Sequence, residues 1–325
     1  MKPFAAKTSI PAELDIAIMD APKSRTNGPA IGLHQAKQLC RLDERRRLEL
    51  IAEGLPVILR SAQGFWTAAE KLQTHRREAK VLENYADEEA AKILILVDAV
   101  RCPPKLIASR LNKIVGWFYN HLARLIYAEA VSWKPTNLAE LRGYVDRQRR
   151  GHYLEGHAGE YIAPNWAIYQ RESLLYADVE AYQDGTLEWS APRDPPYGHF
   201  GSYRPRALLV VEAMEQVGMF TPAGLKAVSD IWGSLEYKDK EDHHDGRKLT
   251  EQLLTRLHAE GLILDTANGE HVGTLYNDWQ IPMYNLEFSL IPVSLEELEA
   301  ESRSGSSGPW LAIRDKDNCL LTATR

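Results

Sequence analysis

Residues 79–101 constrain the fold more than any other part of the chain. Their centre reads Ile93-Leu94-Ile95-Leu96-Val97, so a helix here is apolar on nearly every side, and a helix of that kind belongs in the middle of a bundle. The run is far shorter than the roughly 18 apolar residues that a membrane crossing needs. No longer apolar run replaces it elsewhere, so no membrane association is expected. This helix must be covered by protein, and the neighbouring sequence offers the cover. Helices are predicted over 35–53, over 55–73 with Pro56 in the first turn, and over 104–133 between Pro103-Pro104 and Lys134-Pro135. Two more are predicted over 137–153, with Asn137 as N-cap, and over 166–181. Short connections make antiparallel packing the natural arrangement, with a cleft between helices where sites are built.

The sequence on either side of this block has a different texture. Residues 1–34 hold Pro3, Pro11, Pro22, Gly28, Pro29 and Gly32 and read as an extended arm. The bundle fills 35–183, and the Gly- and Pro-rich stretch 184–203 reads as a linker. From 204 to 300 three helical segments, 205–217, 221–235 and 248–261, precede a strand-like stretch. Leu262-Ile263-Leu264 and Val272-Gly273-Thr274-Leu275-Tyr276 flank Asn268-Gly269, a strong hairpin signal. Helices followed by a hairpin outline a winged-helix-like unit. The fold expected is therefore mainly α: a helical bundle followed by a smaller α+β unit, with 301–325 as a flexible tail.

Charge and cysteine content remove several functional classes. A net charge of -6 argues against a surface built for non-specific nucleic-acid binding, which depends on many cations releasing phosphate counterions. Cys40, Cys102 and Cys319 are odd in number and far apart, so neither a disulfide framework nor a zinc cluster is expected. A reducing cytoplasm is the simple expectation, since the N-terminus shows no secretory pattern. The group Glu241-Asp242-His243-His244-Asp245 reads as a polar loop, because adjacent side chains rarely converge on one ion without a distant third ligand. No metal and no cofactor is expected.

Three constellations could carry chemistry. In Ala86-Asp87-Glu88-Glu89-Ala90-Ala91-Lys92, both Glu88 and Glu89 can reach Lys92 across one helical turn. Spacing alone makes this a surface ion pair, but the group adjoins the all-round apolar run and therefore the cleft. In the second, Ile114, Trp117, His121, Arg124 and Ala128 share one stripe of a continuous helix. There an imidazole that moves protons near neutral pH sits beside a guanidinium suited to phosphate; the alternative is a buried histidine bonded to a neighbouring helix. The third holds Arg142, Tyr144, Arg147, Arg149, Arg150 and His152, a mix of cations and rings that can contact phosphates and stack bases. A solvated basic helix end carries equal weight.

The first two motifs, on successive helices, resemble those of the abortive-infection (AbiV-type) branch of the HEPN superfamily. The likeness covers roughly residues 1–180. Glu88, Glu89 and Lys92 match an Ala/Ser-x-Glu-Glu-x-Gly-Lys-like segment, with Ala91 standing where the family often has glycine; His121 and Arg124 match the helix that follows. HEPN ribonucleases also carry an arginine and a histidine with four to six residues between them. Arg147 with His152, and Arg150 with His157, both have that spacing.

The resemblance implies an HEPN-like bundle that acts as a homodimer and cleaves RNA without a metal, in phage defence. It implies catalytic roles for His121 with Arg124 or for Arg147 with His152. Glu88, Glu89 and Lys92 would support them, and Arg142, Tyr144, Arg149 and Arg150 would bind RNA. A regulatory protein partner would also fit. The alternative is a non-catalytic interaction protein whose winged-helix-like unit binds nucleic acid or protein.

Overall fold

The structure, a computed structural model, describes residues 31–72, 74–151, 165–181, 186–195, 203–279, 281–294, 297 and 300. Most of the expected arm, the tail 301–325, His152 and His157 lie outside the described residues. The architecture is mainly helical. Helix α1 (Ile31–Ala36) and a short 3-10 turn (Lys37–Arg41) lead into α2 (Glu44–Lys71), α3 (Arg76–Arg101), α4 (Pro104–Phe118), α5 (His121–Ala130) and α6 (Leu138–Gln148). After strand β1 (Arg150–Gly151) come α7 (Trp166–Leu175), β2 (Asp178–Ala181) and β3 (Leu187–Ser190). The chain continues with α8 (Arg206–Gln216), α9 (Pro222–Trp232), α10 (His243–Ala259), α11 (Gly269–Asp278) and β4 (Ile291–Pro292). No described helix is long and apolar enough to cross a membrane.

Helix α3 is the central beam, as its apolar run requires: α2, α4, α5, α7, α8 and α9 all pack on it. Ile93, Ile95 and Val97 are fully buried, and each such side chain contributes roughly 1.5–3 kcal/mol relative to exposure. Helix α2 lies alongside and is one element where two were expected. Pro56 sits inside it, although an interior proline removes a hydrogen bond and costs about 3 kcal/mol. The stripe Leu48, Ile51, Leu55, Leu59, Ala62, Trp66 and Ala69 runs past the proline unbroken and is buried throughout. Burial of that stripe outweighs the local penalty.

Three further expectations are corrected. The helix expected over 104–133 breaks at Tyr119-Asn120, where the Asn120 side chain accepts from the Ala123 N–H at 2.9 Å, so Asn120 caps a new helix rather than continuing the old one. The stripe from Ile114 to Ala128 therefore does not exist as one face. The helix expected to reach residue 181 ends at Leu175, and Val179 pairs with Trp189 in the antiparallel β2–β3 ribbon, since β-branched and aromatic residues favour strands. That ribbon puts β3 inside the stretch read as a linker.

The hairpin around Asn268-Gly269 is absent. Gly261, at φ +67°, ends α10, with the Leu262 N–H bonded to the Leu257 carbonyl at 2.9 Å, a helix-terminating geometry that favours glycine. Asn268 then caps α11 by accepting from the Glu270 and His271 N–H groups. What reads as a turn dipeptide starts a helix, and the winged-helix outline loses its wing. Residues of α8–α11 belong to the same apolar cluster as α2–α6, so the helices after the expected linker share the bundle core.

Two polar features brace this core. Asp98 on α3 accepts from Arg101 Nε at 2.8 Å, from Tyr127 Oη at 3.0 Å and from the Met283 N–H at 2.7 Å. The Arg101 guanidinium lies against the adjoining rings of Trp232 and Trp279, 4.6 and 4.5 Å from their centroids. At the end of α6, β1 pairs in parallel with β4. Asn165 donates there to the carbonyls of Gln148 at 2.7 Å and Arg150 at 3.1 Å. A Cβ on Gly151 would stand 2.5 Å from that of Asn165, so this close approach requires glycine.

Candidate functional site

The break at Asn120 has a functional consequence: it makes His121 the first residue of α5. The positive end of a helix is favourable ground for an anion. Across from it, Glu88 projects from the first half of α3 with only 2% of its side chain exposed. Its Oε2 lies 2.8 Å from His121 Nδ1 and 3.3 Å from an Arg124 Nη. Its Oε1 accepts from Arg171 Nε at 2.6 Å. One buried carboxylate thus gathers an imidazole and two guanidinium groups from α5 and α7.

Electrostatics accounts for the state of this carboxylate. Burial alone would raise the Glu88 carboxyl, but the His121 bond and the charges of Arg124 and Arg171 outweigh it and hold Glu88 below the ordinary glutamate range. Burial also pulls Arg124 below its usual value against the opposing pull of Glu88 and Glu89. Arg171 is raised: burial works against the charge, and the bond to Glu88 prevails. Arg124 and Arg171 each expose about a tenth of their side chains, whereas His121 exposes 52%. The buried Nε of Arg124 has no hydrogen-bond partner among the described residues, in a site that opens through the imidazole.

Lys92 pairs with Glu89 one turn along α3, and its ammonium lies 5.6 Å from the Phe118 ring centroid at the end of α4. Glu88, Glu89, Lys92, His121 and Arg124 therefore form one neighbourhood, assembled where α3 faces the α4–α5 junction. Burial pushes Asp87, on the adjoining face of α3, up to about 7. An imidazole beside fixed cations can exchange a proton and hold a phosphate-like anion.

The basic stretch is arranged differently. Arg142 pairs with Asp239 at 2.8 Å, Arg149 with Asp146 at 2.9 Å and Arg150 with Glu297 at 2.9 Å. Arg149 also donates to the Ser289 carbonyl at 2.9 Å. Tyr144 donates to Glu140, and the Arg147 guanidinium lies 4.7 Å from the Tyr144 ring centroid. Arg147 is not among the partners of Glu88 or His121. Asp242 caps α10 by accepting from the His244 and Asp245 N–H groups, so the acidic and histidine-rich group opens a helix. No cluster of metal-ligating side chains occurs among the described residues.

Sequence reasoning missed Arg171, 83 positions from Glu88. A lone arginine in a helix of weak periodicity gives no local sign of its partner. It also missed the Asp98–Arg101 pair, whose i,i+3 spacing was legible. With the geometry in view, no protein-family model, curated protein or solved structure matches the chain.

Proposed function

We propose that this chain is a metal-independent endoribonuclease of the HEPN type, acting as a homodimeric toxin in abortive infection in the cytoplasm. One observation carries the reading: a half-exposed histidine at a helix N-terminus, seated on a buried glutamate between two arginines. In the reaction, His121 accepts the proton of a ribose 2′-hydroxyl as that oxygen attacks the adjacent phosphorus. The bond from phosphorus to the 5′-oxygen then breaks and that oxygen takes a proton from water, leaving a 2′,3′-cyclic phosphate and a 5′-hydroxyl. Arg124 offsets the charge that builds on the phosphoryl oxygens. General base catalysis of this kind contributes about 10²–10⁴-fold.

The test uses purified full-length protein on RNA together with growth arrest on expression. His121→Ala is expected to lower cleavage at least about 100-fold and to relieve arrest. His152→Ala, tested separately, covers the arginine-histidine pair on the other segment. If both variants cleave RNA and arrest growth like the wild type, the reading is wrong.

A second reading, a non-catalytic interaction protein, is favoured by the internal pairing of Arg142, Arg149 and Arg150, which reduces the positive field available to RNA phosphates. Salt-dependent binding to duplex DNA, with none to RNA, would support it instead.

A further inference from the structure

The Nδ1 atom of His121 lies 2.8 Å from Glu88 Oε2 and also 2.8 Å from an Arg124 Nη. A single ring nitrogen cannot satisfy both. If Nδ1 carries a proton it donates to the carboxylate; if it carries a lone pair it accepts from the guanidinium, and that lone pair then faces a carboxylate oxygen at hydrogen-bond distance. The second arrangement sets two electron-rich atoms against each other, one of them on a carboxylate only 2% exposed, where such a repulsion is screened less than in water. In the first, Nδ1–H and the Arg124 Nη–H are two donors 2.8 Å apart, but both reach the same acceptor, Glu88 Oε2, at 2.8 and 3.3 Å, and its negative charge offsets their repulsion.

We infer that Glu88, anchored by Arg171, is a positioning residue that holds neutral His121 in the Nδ1–H form, leaving the lone pair on Nε2. The anchoring follows from geometry. Arg171 Nε takes Oε1 at 2.6 Å, which fixes the carboxylate plane so that Oε2 is aimed at the ring. Nδ1 holds the contacts to Glu88 and Arg124 while half of the side chain is exposed, and Nε2 has no partner among the described residues. A proton arriving from outside enters at Nε2 and gives an imidazolium whose Nδ1–H still donates to Glu88. The carboxylate itself gains no proton. That this proton comes from a ribose hydroxyl rests on the reading proposed above; the tautomer does not.

The experiment is a long-range proton–nitrogen correlation spectrum of full-length protein with labelled histidine, recorded at a pH above which the ring signals no longer move. The His121 signals are assigned by their loss in His121→Gln. The expected result is a protonated Nδ1 and an unprotonated Nε2, the reverse of the form that free histidine favours. In Glu88→Gln the Nε2–H form is expected to become the majority, and in Arg171→Gln the Nδ1–H share should fall at least about twofold. A wild-type spectrum with the lone pair on Nδ1 overturns the inference, with no need for any variant to fold. An Arg171→Gln spectrum identical to the wild type overturns the anchoring role. The expected tautomer in a protein that leaves RNA intact removes the ribonuclease reading and leaves this inference standing.

Discussion

Glu88 and Asp98 stand ten residues apart on α3, about 15 Å along the axis at 1.5 Å per residue, and each gathers donors around a buried carboxylate. Asp98 is sealed. Its oxygens are taken by Arg101, Tyr127 and the Met283 N–H, and two indoles cover the guanidinium. Glu88 is sealed on three sides and opens on the fourth through His121. A closed network gains nothing from a mobile proton and serves to join α3 to α5 and to the chain near Met283. An open one keeps a titratable ring at the boundary with solvent, which is where proton transfer can be useful.

Substitutions can break that comparison. Asp98→Ala leaves the Arg101 charge buried without its counter-ion, and the expected loss of stability is roughly 3–5 kcal/mol, read by denaturant unfolding. If Asp98→Ala costs less than a substitution at Glu88, the closed network is not the structural one.

Glu88→Gln should cost less, roughly 1–3 kcal/mol near neutral pH, because the amide keeps an oxygen that accepts from the neighbouring donors, whereas alanine at 98 keeps none. The pH dependence has a definite sign. The folded-state value of Glu88 is depressed, so its contribution is present above the ordinary glutamate value and is lost as pH falls through the folded one. The stability gap between wild type and Glu88→Gln should therefore narrow on acidification below about 4.5. A gap that stays constant down to strong acid would contradict the assigned charge state.

The smallest effect on stability belongs to His121→Ala, about 1 kcal/mol or less, since half of the ring is already in water. Unfolding midpoints of Asp98→Ala, Glu88→Gln and His121→Ala measured together give the ranking. The variant that matters least for folding is the one expected to matter most for RNA cleavage.

The central position of α3 was legible because an all-round apolar helix has only one stable location. Glu88, Glu89 and Lys92 were legible as one group by spacing, and His121 with Arg124 as another. That the two groups meet was not legible, because contact between α3 and α5 depends on how helices turn about their axes. The errors have local causes. Pro56 looked like a helix start because the buried stripe that carries α2 through it extends beyond any short window. Asn120 and Asn268 can each cap a helix or make a turn, and their surroundings decide between these. At 120 the cap split one expected helix, and at 268 it replaced a hairpin. Both misreadings overlooked the same side-chain competition for backbone N–H groups.

The close approach of Gly151 to Asn165 has a consequence for variation in chain length. Gly151 and Asn165 stand side by side, so whatever number of residues joins them starts and ends at one place. Closing a longer loop between fixed ends costs only about 0.6 kcal/mol for each doubling. Residues inserted between positions 151 and 165, the part of the sequence that contains His152 and His157, would therefore barely register in the stability of the helices. A substitution at Gly151 would separate the two ends and lose that tolerance.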